Sequence, residues 1–120
     1  MPISTSYLFI VSMDVAPEKE ALFNEVYDRE HIPYLSKVPG VVSVKRFKKA
    51  PLTVRDGAQR RGVVFDDEPA YTAIYEIESP EVLLSDAWVE AGAKGRWASE
   101  VRPHTRNRRH ILRRLIGSGG

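Results

Sequence analysis

Apolar residues recur along the chain at two different spacings, and the changes between them mark the boundaries of strands and helices. Four segments are rich in β-branched and aromatic residues, which is typical of strands: residues 6–13, 41–49, 70–77 and 108–116. Two further segments, which begin near Pro17 and Pro80, carry apolar residues at helical spacing. The pattern therefore predicts the element order βαββαβ.

The first predicted helix, residues 17–35, places two polar rings among apolar neighbours. One stripe of this helix carries a residue at every fourth position, namely Phe23, Tyr27, His31 and Leu35. Pro33 lacks a backbone N–H and clashes with the preceding turn, so the helix is expected to kink or loosen just after His31. A titratable ring near a helix end, on a face that points inward, is the best functional clue in the chain.

The second predicted helix has Ser79 as its N-cap and Pro80 at its first position. Its apolar stripe is formed by Leu84, Ala87, Trp88 and Ala91. Two glycines at positions 92 and 95 are expected to loosen its end.

The order βαββαβ indicates an α+β, ferredoxin-like fold with a four-stranded antiparallel sheet. Two helices cover only one face of such a sheet, yet the strands at 6–13 and 70–77 have no wholly polar face. Exposing the second face would leave an apolar patch of the size of an interaction surface. We therefore expect a homodimer in which a second copy covers this face.

The stretch between the second and third predicted strands, residues 51–69, is the longest irregular segment. Long loops in compact domains are often functional lids, and Val63-Val64-Phe65 offers an apolar flap. A solvated hairpin loop is the simpler explanation of the same segment. Both interpretations stay open at the level of sequence.

Composition narrows the class of protein. The chain has 120 residues, which fits one domain over 1–116 followed by a disordered tail at 117–120. The formal net charge of +2 argues against binding to nucleic acid or membranes, and no apolar stretch approaches the roughly 20 residues of a membrane span. The chain has no cysteine and no recognisable signal peptide, so a cytoplasmic location is expected.

His31 is the strongest candidate for catalysis. An unperturbed imidazole titrates near pH 6.5, so it can act as a general acid or base at cellular pH. Tyr27, one turn earlier, could donate to a carbonyl or enolate oxygen of a substrate. Asn24 and Glu30 are candidates to orient the imidazole or to bind substrate. The alternative is that His31 forms a buried structural corner with Pro33 and hydrogen-bonds to the backbone.

Further candidates for ligand binding come from the strands and the second helix. Arg46 either points beneath the helices and pairs with an anionic ligand or Glu30, or points outward. Tyr71 and Tyr75 share one strand face, and with Trp88 they would wall a pocket for a flat apolar ligand. An ordinary aromatic core is the other explanation for these three rings.

The sequence offers little evidence for a metal site or for a nucleic-acid-binding site. His104 and His110 lack the spacing that preorganises metal ligands, and there is no cysteine, so no metal is expected. The arginines of the last strand alternate between its two faces and are nearly balanced by acids elsewhere. No cofactor-binding fingerprint occurs in the chain, and no cofactor is expected.

The sequence also resembles a known superfamily over roughly residues 6–50 and 70–116. The resemblance rests on three segments: Tyr27-Asp28-Arg29-Glu30-His31-Ile32-Pro33, then Val38-Pro39-Gly40-Val41, then Arg46-Phe47. These are similar to the dimeric α/β-barrel superfamily, and within it to the EthD-like branch. The resemblance implies the same fold, a homodimer, and a reaction chamber between the helices and the sheet.

The function implied by this resemblance is that of a small cofactor-free enzyme. It would act on a hydrophobic, aromatic or polyketide-like molecule by His-assisted proton transfer, as a lyase, cyclase, isomerase or monooxygenase. The competing hypothesis is a non-catalytic dimer that binds a hydrophobic ligand or heme. A fold shared by enzymes and binding proteins does not choose between them.

Overall fold

The computed structural model describes residues 3–117, so the tail expected at 117–120 lies outside the described residues apart from Gly117. The strands are β1 Tyr7–Val15, β2 Val41–Lys48, β3 Leu52–Asp56, β4 Gln59–Val63, β5 Tyr71–Ile77 and β6 Thr105–Arg114. Four of them form an antiparallel sheet in the order β2-β5-β1-β6. With helical segments after β1 and after β5, this is the predicted ferredoxin-like α+β fold, which is confirmed.

The helical segment after β1 is continuous but changes its winding. It comprises a 3₁₀ turn Pro17–Lys19, helix α1 Glu20–Val26, a first π-helical turn Tyr27–His31 and helix α2 Ile32–Ser36. The Ile32 N–H donates to the Tyr27 carbonyl, five residues back. Because Pro33 has no N–H to donate to the preceding turn, a locally wider helix accommodates it. The loosening expected just after His31 therefore lies in the turn that ends at His31.

The helical segment after β5 differs more from the prediction. It comprises a 3₁₀ turn Pro80–Leu84, helix α3 Asp86–Ala93, a second π-helical turn Trp97–Val101 and a 3₁₀ turn Arg102–His104. The predicted N-cap is wrong, because Ser85 rather than Ser79 caps α3, its Oγ accepting from the Trp88 N–H at 3.2 Å. Leu84 is 81% exposed and so does not belong to the buried stripe.

Residues 52–63, expected to be irregular, form a separate two-stranded hairpin of β3 and β4. Both strands are largely exposed, and the β3–β4 pair is not hydrogen-bonded into the main sheet. The apolar residues that follow, Val64 and Phe65, are exposed as well. The described segment is thus a solvated hairpin, the second of the two interpretations of this stretch.

Gly40 makes the turn from α2 into β2. Its φ of 93° lies in the region that favours glycine. A Cβ atom at this position would overlap the Cγ2 atom of Val82, which belongs to the other helical segment. The Pro39-Gly40 pair therefore allows β2 to start close beneath the second helical segment.

The two faces of the main sheet have different surroundings. The face carrying Val11, Ala73 and Tyr75 is buried under the helices. On the opposite face, Ile10 pairs directly with Ile74 and with Ile111, so three isoleucines form a row across three strands. Each of them remains partly exposed in the single chain. Within residues 3–117, no helix is both long and apolar enough to cross a membrane.

Candidate active site

The two π-helical turns bring three aromatic rings together. The imidazole of His31 stacks on the indole of Trp97, with ring centroids 4.5 Å apart and planes 21° apart. The phenol of Tyr27 meets the same imidazole edge to face at 5.1 Å and the same indole at 5.0 Å. Single π-helical turns are rare and occur frequently at functional sites. Here each helical segment contributes one such turn to the same cluster.

This cluster borders a cavity of about 500 Å³ between the helices and the sheet. Its floor is formed by Phe9, Val11, Met13 and Tyr75 of the sheet, and its other walls include Tyr27, His31, Trp88, Gly92 and Trp97. The volume falls within the range of roughly 300–1,000 Å³ that is usual for small-molecule sites. The structure thus brings four predicted residues together around one cavity: Tyr27, His31, Tyr75 and Trp88.

His31 differs from the other polar residues of this cavity because a buried nitrogen of its ring lacks a hydrogen-bond partner among the described residues. Only 8% of the residue is exposed, and its Nδ1 atom is buried with no hydrogen-bond partner among the described residues. Burial lowers its pKa from 6.5 to about 4, because the desolvated site disfavours the charged ring. The imidazole is therefore neutral at physiological pH. A structural corner would instead satisfy the ring by a hydrogen bond, since buried polar groups are usually paired.

A pair of phenols lies beside this imidazole. The hydroxyls of Tyr27 and Tyr75 are 3.4 Å apart, and both residues are at most 3% exposed. Burial raises the pKa of both phenols, so both keep their protons at neutral pH. The two hydroxyls share a hydrogen bond in which one donates to the other, so one phenol proton of the pair is available to an oxygen atom in the cavity.

Arg46 points beneath the helices, as one of its two predicted orientations required, but it does not line the cavity. Its guanidinium lies over the outer face of the Tyr27 ring, 4.5 Å from the centroid, and its side chain is only 15% exposed. It donates to Asp28 at 2.7 Å and to Asn24 at 2.8 Å. The suggested pairing with Glu30 is therefore wrong.

Asn24 and Tyr71 belong to this same cluster outside the cavity. The Asn24 amide lies 3.5 Å from the Tyr71 hydroxyl, which itself donates to the carboxylate of Glu20. Neither residue lines the cavity, so their predicted contact with its ligand is not supported by the geometry. The cluster instead holds α1 against the sheet on the side of Tyr27 that faces away from the cavity.

Glu30 connects the two helical segments rather than orienting the imidazole. Its carboxylate accepts from the Arg96 backbone N–H at 2.9 Å and from the Arg96 Nε at 2.7 Å. These bonds lower the pKa of Glu30, since they favour the ionised carboxylate. A Cβ atom on Gly95, whose φ is 71°, would meet the Glu30 carboxylate and the Tyr34 ring. Glu30 thus fixes the start of the turn that carries Trp97.

Several cavity residues were not anticipated from the sequence. They are Trp97 on the second π-helical turn, Gly92 on α3, and three basic residues at the rim: Arg102, Arg108 and His110. Trp97 follows Gly95, which breaks the helical register that would have placed it. The hairpin, in contrast, contributes none of the described lining residues, so it does not form the lid considered above.

No cluster of three or more histidine, cysteine, aspartate or glutamate residues suited to a metal ion occurs among the residues that the structure describes. The cavity is mostly apolar, and few polar groups converge in it: the imidazoles of His31 and His110, the two phenols, and the guanidinium groups of Arg102 and Arg108. Such a site can bind a hydrophobic molecule, orient one oxygen atom of it and exchange a proton with it.

Comparisons with known proteins identify the fold. No protein-family model matches the chain, and no curated protein sequence matches it significantly. Among solved structures, an ethyl tert-butyl ether degradation (EthD) family protein from Bacillus halodurans matches with a TM-score of 0.57 and 14% identity, covering 92% of this chain and 99% of that one.

Two structures of MhuD also match this fold. A variant with two manganese protoporphyrin IX molecules bound per active site has a TM-score of 0.56 and 14% identity, covering 95% of this chain and 98% of that one. The heme-degrader from Mycobacterium tuberculosis, with two hemes in its active site, has a TM-score of 0.51 and 16% identity, covering 95% and 99%. The shared fold agrees with the superfamily that the sequence resembles.

Proposed function

We propose that this protein is a small enzyme that binds a hydrophobic molecule beneath its helices and transfers a proton through His31 without a cofactor. One observation carries the proposal: the neutral imidazole of His31 borders a cavity of ligand size. Its Nδ1 atom is itself buried and unpaired among the described residues, and leaving a polar group unpaired in the interior costs about 1–3 kcal/mol. That a histidine is kept at this cost, where an apolar ring would pack as well, supports a chemical role for the ring.

The chemistry suited to this arrangement is proton abstraction beside a carbonyl or phenol group of the ligand. At neutral pH His31 is in its basic form, and a negative charge that develops on the ligand favours the imidazolium. The hydrogen-bonded pair of Tyr27 and Tyr75 has one phenol proton left to donate to the oxygen that gains this charge. Lyase, cyclase, isomerase and cofactor-free monooxygenase reactions share this step.

The enclosing groups support the same proposal. Aliphatic and aromatic side chains form most of the cavity lining, so the surroundings of His31 and the phenols are less polar than water. A positioned acid–base group typically contributes about 10²–10⁴-fold to a rate. Trp97 and Tyr27 hold the imidazole from two sides and thereby limit its rotation.

Binding of heme is the second candidate function, and one observation favours it specifically. A neutral imidazole is the form of histidine that ligates metals, and heme iron is often held by a single histidine. His31 borders an aromatic cavity and fits this requirement, with Trp88 and Tyr75 available to contact the macrocycle. A bound heme would supply redox chemistry with oxygen. The solved structures of the same fold that contain porphyrins make this candidate worth testing.

Blocking the cavity tests both candidates together. Gly92 lies on α3 at the cavity wall, and a Cβ atom there meets no other atom within 4 Å. Gly92→Leu should narrow the cavity while favouring the helix, because leucine is the better helix former by roughly 0.5–1 kcal/mol. We expect the wild type, incubated with a cell extract and analysed by mass spectrometry, to capture small molecules that this variant does not.

The identity of the captured molecule separates the two functions. A hydrophobic carbonyl or phenol compound supports the proton-transfer enzyme, whereas heme supports the second candidate. The control is Gly62→Ala in the hairpin, where a Cβ atom also meets nothing and which lies outside the cavity lining. Equal capture by wild type and Gly92→Leu would rule out the cavity as the binding site.

We further propose that the protein functions as a homodimer. The row formed by Ile10, Ile74 and Ile111 lies on the sheet face opposite the helices and is partly exposed in one chain. A second copy related by a two-fold axis would bury both rows at once. Phe47, 53% exposed on the adjacent β2, extends the same apolar surface.

Ile74→Lys is expected to convert the dimer into monomers. A lysine at the centre of a two-fold interface places two like charges in an apolar environment, at a cost of several kcal/mol. Analytical ultracentrifugation at micromolar concentration measures the change in mass. Leu84→Lys is the matched control, because Leu84 is 81% exposed on the helical side of the chain. A wild type that sediments as a folded monomer would refute the dimer.

A further inference from the structure

Three basic residues meet at one side of the cavity, where it opens to solvent. Arg102 belongs to the 3₁₀ turn that follows the second π-helical turn, while Arg108 and His110 belong to β6. All three line the cavity, and all three are exposed in the single chain. His31 and the phenols of Tyr27 and Tyr75 line the same cavity, and the charge of Arg108 acts on the Tyr27 phenol.

The two arginines of this rim lack counter-ions among the described residues. Arg46, Arg96 and Arg109 each form an ion pair with a carboxylate at 3.2 Å or less. No such pair involves Arg102 or Arg108. The pKa of Arg108 is lowered by partial burial and by the charge of Arg102, the direction expected when two like charges lie near each other without an acid.

The neighbouring histidine, His110, adds no charge to the rim. Burial and the two arginines lower the pKa of His110, so its ring is neutral at physiological pH. The ring lies beside Phe9, with centroids 6.0 Å apart, on the floor of the cavity. The rim therefore combines two cations with a neutral hydrogen-bonding ring at the end of an apolar chamber.

We infer that Arg102 and Arg108 bind an anionic group, a carboxylate or phosphate, of the hydrophobic molecule that occupies the cavity. This inference rests on the proposed function, because it concerns the ligand of the same cavity. Guanidinium groups form paired, charge-assisted hydrogen bonds with both kinds of anion. The anionic group would fix the ligand at the rim and so orient the rest of the molecule in the cavity lined by His31 and Tyr27.

Three naphthalene compounds test this inference by isothermal titration calorimetry: 2-naphthoate, 2-naphthyl phosphate and the neutral 2-naphthylmethanol. Arg102→Gln and Arg108→Gln should each weaken binding of the anions by about 10-fold or more, the range typical of a charge-assisted hydrogen bond. Binding of the neutral alcohol should stay unchanged. Arg106→Gln, on the same strand but outside the cavity lining, is the matched control and should leave all three affinities unchanged.

The outcomes separate the inference from the proposed function. If the alcohol and the anions bind equally well and neither arginine variant weakens the anions, the anion site is refuted while the ligand cavity stands. If none of the three compounds binds to the wild type, the ligand cavity and the anion site fail together. The stronger of the two anions identifies which group the rim prefers. Both arginines are exposed, so their replacement should leave the protein folded.

Discussion

Replacing His31 with phenylalanine is expected to abolish turnover and yet leave the protein as stable as the wild type, or more stable. Phenylalanine keeps the stacking on Trp97 and the contact with Tyr27 but removes the buried, unpaired Nδ1 atom. Replacing an unsatisfied polar group by an apolar group of similar shape is nearly neutral or stabilising, by up to about 1 kcal/mol. The rate on a captured substrate should fall by about 10²–10⁴-fold.

Urea unfolding at fixed protein concentration measures the stability, since a dimer's apparent stability depends on concentration. His31→Gln serves as the second variant, because it retains hydrogen bonding but cannot titrate, and it should also lose activity. His104→Phe, which changes an exposed histidine outside the cavity, should leave turnover unchanged. If His31→Phe instead lowered the free energy of unfolding by more than about 2 kcal/mol, His31 would be a structural residue.

As the pH is lowered, the wild type should begin to lose stability at a higher pH than the His31→Phe variant does. The pKa of His31 is about 4 in the folded protein and near 6.5 in the unfolded chain. As the pH falls from 6.5 to 4, the unfolded chain binds a proton that the folded protein does not, so unfolding becomes easier. The contribution of His31 to the free energy of unfolding is complete above pH 6.5. Between pH 6.5 and pH 4 the free energy of unfolding should fall by about 3 kcal/mol.

Comparison with the His31→Phe variant isolates the contribution of His31 to this pH dependence. Glu30 and Asp14 also have lowered pKa values, but carboxylates of this kind cost stability only at more acidic pH. His110 has a lowered pKa too and is present in both proteins, so its contribution cancels in the comparison. The difference between the two unfolding curves from pH 7 to pH 4.5 therefore reports His31. Parallel curves would show that the imidazole is not buried in its neutral form.

The fold could be predicted from the sequence because its signals are local. The four strands of the main sheet differ from their predicted bounds by a few residues, and β6 starts three residues before its predicted start. Strand periodicity and the Pro39-Gly40 turn specify the order of elements without reference to distant contacts. The same holds for the stripe from Phe23 to Leu35, all four of whose large residues are buried.

Only part of the candidate site could be predicted from the sequence. Tyr27 and His31 could be placed by helical spacing, but Trp97 could not, because a π-helical turn shifts the register by one residue. For Arg46 the sequence left two orientations open, and for Glu30 it suggested contact with the imidazole, but the partners of both depend on side chains from other elements. The N-cap of α3 was misplaced because Ser79 and Ser85 both precede helical sequences, and the first opens only a 3₁₀ turn.

A crystal structure of the protein with its captured molecule would test the central claim most directly. We predict that the molecule lies in the chamber between the helices and the sheet. A polar atom of it should lie within hydrogen-bond distance of the His31 ring or of the Tyr27 and Tyr75 hydroxyls. A molecule bound elsewhere on the protein, with the His31 ring still unpaired and the chamber filled by rearranged side chains, would contradict this account.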